Sequence, residues 1–159
     1  MCIAHNYINL VKWSSCVNWK EFIENRNRLF WLVHTAGWCG FALVHYLGSL
    51  LHDLRDIFLV IILLNAYAGW LFTVPLRYIY RRVWNLTPLK IAIVVILTSY
   101  FTGVLWQVVK NINYWEIYKH GYQPEFWLYY TKNSLLSFFI ILSWSGLYFG
   151  TKYYQMLQK

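Results

Sequence analysis

The sequence is poor in charge, and in acidic charge most of all. Only 6 of its 159 residues are Asp or Glu, against 14 Lys or Arg, and charged residues make up 13% of the chain. That share is about half of what an ordinary soluble domain carries. Hydrophobic residues reach 59% and aromatic residues 21%. Water solvates such a surface poorly and lipid solvates it well, so the composition predicts a membrane protein.

The sequence also lacks the motifs of nucleotide binding and hydrolysis. GxSxG, HExxH, P-loop and GxGxxG patterns do not occur, and no catalytic constellation replaces them. The three cysteines, Cys2, Cys16 and Cys39, contain no CxxC spacing, which argues against a zinc knuckle or a disulfide framework. The apolar runs hold no Asp or Glu, which argues against a proton pump or an ion-coupled transporter. No cofactor is expected.

Four apolar runs are long enough to cross a bilayer as helices. They cover about residues 29–51, 57–74, 89–109 and 129–150. They are too long for the strands of a membrane barrel and do not alternate with a period of two. The predicted fold class is therefore all-α: a polytopic membrane protein whose residues 29–150 form one domain of four transmembrane helices.

The segments that flank these runs are polar and basic. Residues 1–28 are predicted to be a cytoplasmic or interfacial segment, either a short amphipathic helix on the membrane surface or a weakly ordered tail. The second helix is expected to continue beyond Pro75 and to place Arg77, Arg81 and Arg82 at the membrane interface. Thr87 and Pro88 are typical of the N-cap and first residue of a third helix. Residues 151–159 are expected to begin a cytoplasmic helix.

Lysine and arginine are distributed unequally between the two sides of the predicted membrane domain. Ten of the fourteen fall in the N-terminal segment, the second loop and the C-terminal tail. The other four fall in the first and third loops and at the start of the fourth run. The positive-inside rule therefore predicts a protein of the bacterial inner membrane with both termini in the cytoplasm. Because the basic residues flank apolar runs, they indicate a lipid bilayer rather than a nucleic acid as partner.

Three histidines form the most suggestive polar pattern. His34, His45 and His52 are separated by eleven and seven residues, which places them within about 20° of one another on a single helix face. The helical rise separates His34 from His45 by about 16 Å, so the two cannot share one metal ion within a chain. Polar groups inside a membrane usually face protein or water, so the stripe is predicted to face another helix. Structural hydrogen bonding and a sensing or ligand-binding role both remain open.

A metal ion remains possible in two arrangements. A symmetric dimer would pair the first helix with its copy and supply further imidazoles. Alternatively, two loops would form an extracytoplasmic cation site, although these charges also suit ordinary solvated loops. The metal-ligand candidates are His34, His45, His52 and His120, and the loop site would add Asp53, Asp56, Glu116 and Glu125.

Three stretches resemble, in this order, the membrane domain of Lyt/Alg-type sensor histidine kinases. RLFWLVHTAGWCGFALVHYL resembles the opening of the first helix in that family, and PLRYIYRRVW resembles the basic exit of its second helix. NSLLSFFIILSWSGLYFGTKYYQ resembles its last helix, with the Trp-Ser and Leu-Tyr-Phe-Gly signatures and an aromatic, basic ending. The matches cover about residues 28–47, 75–84 and 133–155.

The resemblance implies the sensor domain of a two-component system: a homodimer whose last helix leads to a cytoplasmic kinase region that acts on a response regulator. That region would carry a phospho-acceptor His beside Asn-Pro-His-Phe-Leu-Phe-Asn and an ATP-binding domain. Neither is present in this sequence, so the chain is expected to be a truncated sensory module without enzyme activity of its own. Signal transduction would shift the packing of the helices and move residues 132–159. The implied signal-transmitting residues are Trp144, Tyr148, Lys152 and Tyr153.

Two other functions are compatible with the sequence. A small membrane carrier or channel subunit would need polar, pore-lining faces on several helices, and the third run offers few polar residues. A metal- or haem-binding membrane protein would use the stripe of His34, His45 and His52, and a purified haem protein would be red.

Overall fold

A computed structural model describes residues 26–52 and 56–157 of the chain. Every regular element within these ranges is helical, so the predicted all-α fold class is confirmed. A short π-helix, Tyr114–Tyr118, continues the third helix, and a short 3-10 helix, Trp127–Thr131, precedes the fourth. The four long helices are α1 (Arg26–Leu51), α2 (Ile57–Val83), α3 (Pro88–Asn113) and α4 (Ser134–Leu157). The predicted interfacial helix falls within residues 1–25, outside the described ranges.

Three of the four helices are long and apolar enough to cross a membrane. They are α2, α3 with its π-helical extension, and α4 with the 3-10 helix that precedes it. α1 has 26 residues and is the least hydrophobic of the four, because histidines, glycines and tryptophans interrupt its aliphatic residues. The structure thus supports a membrane protein with three spanning helices, and the predicted fourth span is not confirmed.

Most helix ends follow from local sequence. α3 begins at Pro88 after an extended Thr87, as predicted, because proline has no N–H that needs a partner in the first turn. Thr87 makes no side-chain capping bond. α2 continues through Pro75 to Val83 and α4 continues to Leu157, again as expected. α3 ends at Asn113, beyond the predicted residue 109.

The start of α4 differs from the sequence prediction. The helix begins at Ser134 rather than near residue 129. The amide of Asn111 on α3 donates a hydrogen bond of 2.7 Å to the carbonyl oxygen of Tyr130 and lies within 3.4 Å of two neighbouring carbonyl oxygens. Asn133 then adopts a positive φ of 68°, a conformation that asparagine tolerates better than most residues. The chain therefore turns at this point and delays the helix.

The helices pack in sequence order, with α1 against α2, α2 against α3, and α3 most extensively against α4. Trp38, Leu76, Tyr80, Trp106 and Ile141 form the buried hydrophobic core. One end of the bundle carries Arg77, Arg81 and Arg82, and we call it the basic end. It is formed by residues 26–30, 76–88 and 148–157. The segment 114–133 lies at the opposite end, which we call the loop end.

Two glycines permit close packing between these helices. A Cβ atom on Gly103 of α3 would lie 2.8 Å from the backbone of Phe138 on α4, and one on Gly69 of α2 would lie 2.2 Å from the Trp38 ring. By contrast, a Cβ on Gly37 or Gly40 would meet no atom within 4 Å. Gly37 and Gly40 therefore lie on the outer face of α1, and among the described residues no side chain or neighbouring helix packs against them.

We expect Gly103→Ala to destabilise the bundle, because the added methyl group would push the α3 and α4 backbones apart. Overpacking of this kind costs about 1–3 kcal/mol. Thermal unfolding of the protein in a nonionic detergent measures the effect. Gly146→Ala is the matched control, since a Cβ at that position on α4 meets open space. Equal unfolding temperatures for the two variants would contradict the close contact.

Candidate functional site around His34

His34 lies buried where α1, α2 and α4 meet, with 1% of its surface exposed. The indole Nε1 of Trp144 on α4 donates a hydrogen bond of 3.0 Å to Nδ1 of His34. The second ring nitrogen, Nε2, lies 3.3 Å from the carbonyl oxygen of Trp70 on α2. Because an indole N–H only donates, Nδ1 is the acceptor and the proton resides on Nε2, which donates to Trp70. His34 thus joins three helices as a neutral imidazole.

Aromatic rings surround this imidazole. Phe30 stacks on it with the ring centroids 5.1 Å apart, and the rings of Trp31, Trp70 and Trp144 lie 5.5 to 5.8 Å away. A polar group without a partner in such apolar surroundings would cost several kcal/mol. His34 can therefore be buried here only because both of its ring nitrogens are hydrogen-bonded.

Trp38, one helical turn after His34, makes a second polar contact between α1 and α2. Its indole Nε1 donates to the Oγ1 atom of Thr73 at 3.1 Å. The Thr73 hydroxyl in turn donates to the carbonyl oxygen of Gly69, at 2.8 Å. The same indole ring packs over Gly69. His34 and Trp38, on successive turns of α1, are thus both hydrogen-bonded to the turn of α2 that runs from Trp70 to Thr73.

A cluster of three buried hydroxyl groups joins α4 to α2 and α3. The Tyr80 hydroxyl lies 2.7 Å from Oγ of Ser145 and 3.3 Å from Oγ of Ser99, and the two serine oxygens are 3.1 Å apart. All three residues are fully buried. Ser145 follows Trp144 directly, so one turn of α4 is hydrogen-bonded to all three other helices.

The basic end adds contacts between cations and aromatic rings. The guanidinium of Arg77 lies 3.9 Å from the centroid of the Phe30 ring and donates a hydrogen bond to the side-chain oxygen of Asn27. Arg77 therefore covers the aromatic shell of His34. Arg81 and Arg82 are exposed in the last turn of α2, which agrees with a position at a membrane interface.

The four residues that the family resemblance implied for signal transmission lie along one part of α4. Trp144 binds His34, and Tyr148 lies 6.0 Å from the Trp144 ring and 5.6 Å from the Tyr80 ring. The Lys152 ammonium lies 3.6 Å from the Trp84 ring centroid, and the Tyr153 ring lies 5.1 Å from it. All four therefore contact α1 or the C-terminal end of α2.

His45 by contrast is exposed, so the prediction that both histidines face a helix contact is confirmed for His34 only. Phe41, one turn before His45, fills the contact with Trp106 of α3, at 5.3 Å between ring centroids. His45 is exposed and packs against the Phe41 ring at 4.2 Å. The contact between α1 and the bundle thus holds only one end of the histidine stripe.

The candidate metal ligands do not come together in the described part of the chain. His52 and His120 are exposed at turns, and both nitrogens of His34 are engaged in hydrogen bonds. Within residues 26–52 and 56–157, no three His, Cys, Asp or Glu side chains are grouped closely enough to hold a metal ion. Asp53 of the proposed loop site lies outside these ranges. Metal binding stays a prediction.

Several site residues were not identified from the sequence. They are Trp70, Thr73, Tyr80 and Ser99, and all are buried or half-buried in the helix contacts. A signal for two of them was present: Gly69, Thr73, Leu76 and Tyr80 recur every three or four residues, which is the spacing of one helix face. Tyr80 also lies between Arg77 and Arg81, a position that is equally typical of an interfacial aromatic residue.

Comparisons of the chain with protein-family models, with curated proteins and with solved structures found no match.

We expect His34→Leu to lower the stability of the bundle by about 1–3 kcal/mol, because it leaves the Trp144 N–H without its partner and removes one of the hydrogen bonds that the Trp70 carbonyl accepts. His34→Gln should lower it less, since an amide both accepts and donates. The unfolding temperature in nonionic detergent measures both effects. His45→Leu, the same change at the exposed position, is the control. A loss for His45→Leu as large as for His34→Leu would contradict the role of the hydrogen bonds.

Proposed function

We propose that this chain is the sensory and signal-transmitting membrane domain of a two-component sensor histidine kinase. The observation that carries the proposal is the hydrogen bond from Trp144 to His34. It links α4 directly to α1 and, through His34 and Trp70, to α2, which α4 also contacts through the Tyr80–Ser145 hydrogen bond and aromatic rings. A change in the packing of α1 or α2 is therefore transmitted directly to α4.

The free energy of the hydrogen bond between Trp144 and His34 is suited to a switch between two packings of the helices. A neutral hydrogen bond contributes about 1 kcal/mol net, and a stimulus that favours one of two packings by 1 or 2 kcal/mol changes their ratio by about 5- to 30-fold. From Trp144 to the level of Lys152, α4 presents aromatic and basic side chains that contact the C-terminal end of α2. These contacts couple that part of α4 to the C-terminal end of α2, which favours a joint motion of the two.

The kinase connection itself rests on the resemblance of three stretches to the Lyt/Alg-type family. Two of the residues within those stretches, His34 and Trp144, are hydrogen-bonded to each other between α1 and α4. In this proposal the chain has no catalytic activity, and α4 passes the signal to a kinase region that phosphorylates a response regulator.

The proposal is tested by fusing the full chain, after Lys159, to the catalytic region of a Lyt/Alg-type kinase. Autophosphorylation is then measured in membrane vesicles at matched expression. We expect Trp144→Phe and His34→Leu to change the rate about fivefold or more, because each shifts the packing equilibrium by 1 kcal/mol or more. His45→Leu should leave the rate as in the unsubstituted fusion. Identical rates for all four proteins would refute signal transmission through this contact.

We further propose that both termini lie in the cytoplasm of a bacterium, from the ten-to-four distribution of Lys and Arg. Cysteine labelling in intact cells tests this in a variant whose three native cysteines are replaced by serine. A membrane-impermeant maleimide should label Gln123→Cys at the loop end, where the residue is exposed. Gln158→Cys should react only after the cells are permeabilised. Labelling of Gln158→Cys in intact cells would reverse the topology.

The proposed partners follow from the same assignment. The exposed leucines on α2, α3 and α4 would face the lipid bilayer. Kinases of the resembled family work as dimers, so we propose a homodimer. The outer face of α1, which carries Gly37, Gly40 and the exposed Cys39, is open to a second copy within the described structure.

A further inference from the structure

The loop end of the bundle contains an open cavity of about 640 Å³. This volume lies within the range of small-molecule sites, which is about 300–1,000 Å³. Its wall is formed by the end of α3, the π-helix and the segment that leads to α4. The side chains that matter for binding are Trp115, Tyr122, Glu125 and Lys132, with Asn111 beneath them. None of them belongs to the site around His34.

One part of the wall suits a cation. The rings of Trp115 and Tyr122 are 6.4 Å apart and inclined by 69°, and Glu125 lines the same cavity. Aromatic faces attract ammonium groups, most strongly in the case of tryptophan. A carboxylate adds a charge-assisted hydrogen bond to such a group.

Another part of the wall suits an anion. Lys132 and Asn133 line the cavity next to the start of α4 and offer an ammonium and an amide N–H₂. Lys132 and Glu125 both face the cavity, and among the described residues no ion pair links them. The two opposite charges are therefore available to two different groups of one ligand.

A chain of hydrogen bonds leads from this wall into the contact between α3 and α4. Asn111, which fixes the carbonyl groups before α4, accepts a hydrogen bond of 3.0 Å from the amide of Gln107. The Gln107 side-chain oxygen accepts one of 2.5 Å from the hydroxyl of Ser137 in the first turn of α4. Gln107 and Ser137 are buried. A ligand that moves Lys132 or Asn133 thus acts on the beginning of α4.

We propose that this cavity binds a small zwitterion, with its ammonium group at Trp115, Tyr122 and Glu125 and its anionic group at Lys132. Two sources share this chemistry: a free α-amino acid and the phosphoethanolamine headgroup of a lipid. The proposal that a zwitterion binds depends only on the cavity. The idea that this zwitterion is the input signal rests on the proposed sensory function.

Isothermal titration of the full chain in a nonionic detergent tests the site. The probes are glycerophosphoethanolamine, each of the twenty standard amino acids, and ethanolamine and inorganic phosphate as carriers of a single charge. We expect at least one zwitterion to bind more tightly than both single-charge probes. Glu125→Gln and Lys132→Met should each weaken its binding about tenfold, because each removes one charged contact. Glu116→Gln and Lys119→Met, which change exposed charges of the same loop outside the cavity wall, should bind as the unsubstituted chain.

Binding of glycerophosphoethanolamine alone assigns the site to lipid, and binding of an amino acid alone assigns it to a soluble ligand. The proposal is overturned if no zwitterion binds, if a single-charge probe binds equally well, or if Glu125→Gln and Lys132→Met bind as the unsubstituted chain. Both residues are exposed, so their variants should keep the unfolding temperature. Because the titration requires no kinase region, its failure is distinguishable from failure of the fusion experiment.

Discussion

The arrangement of α1 relative to α4 depends on the hydrogen bond between Trp144 and His34. The two helices are separated by more than eighty residues of sequence, and among the described residues their backbones approach each other at few points. His34 enters an aromatic shell in which an unpaired nitrogen would be strongly unfavourable. Only a donor on the α4 side and an acceptor on the α2 side allow it to remain there. The polar contact thus selects which part of each helix meets the others.

The same constraint explains the rest of the interior. Helices in lipid gain little from apolar contact with each other, because lipid tails are as apolar as leucine. Small residues and paired polar groups then determine the packing, as in the Tyr80, Ser99 and Ser145 cluster. Within the described residues, no buried side-chain nitrogen or oxygen lacks a hydrogen-bond partner. Basic side chains near the helix ends rest on aromatic rings instead, as Lys110 does on Trp106 at 4.1 Å.

The sequence predicted the parts of this structure that depend on local chemistry. The apolar runs predicted the helices, and the pair Thr87 and Pro88 predicted the start of α3. The start of α4 was missed, because it depends on Asn111, a residue of another helix. In the candidate site, the high energy of a polar group in an apolar run identified His34. Its partners were not predictable, since they depend on how far α1, α2 and α4 are shifted along one another. Periodicity also could not show that His45 stays exposed although it shares the face of His34.

The position of Trp38 over Gly69 limits how the helices can move. The indole ring occupies the space where any other residue at position 69 would place its Cβ. Sliding α1 along α2 would carry this ring from Gly69 toward Ala66 or Thr73, the next residues on the same face of α2, whose side chains would oppose the movement. The backbone contact of Gly103 with Phe138 restricts α3 and α4 in the same way. A sliding motion of these helices along one another would therefore meet more steric resistance than a small rotation or tilt about the two glycines.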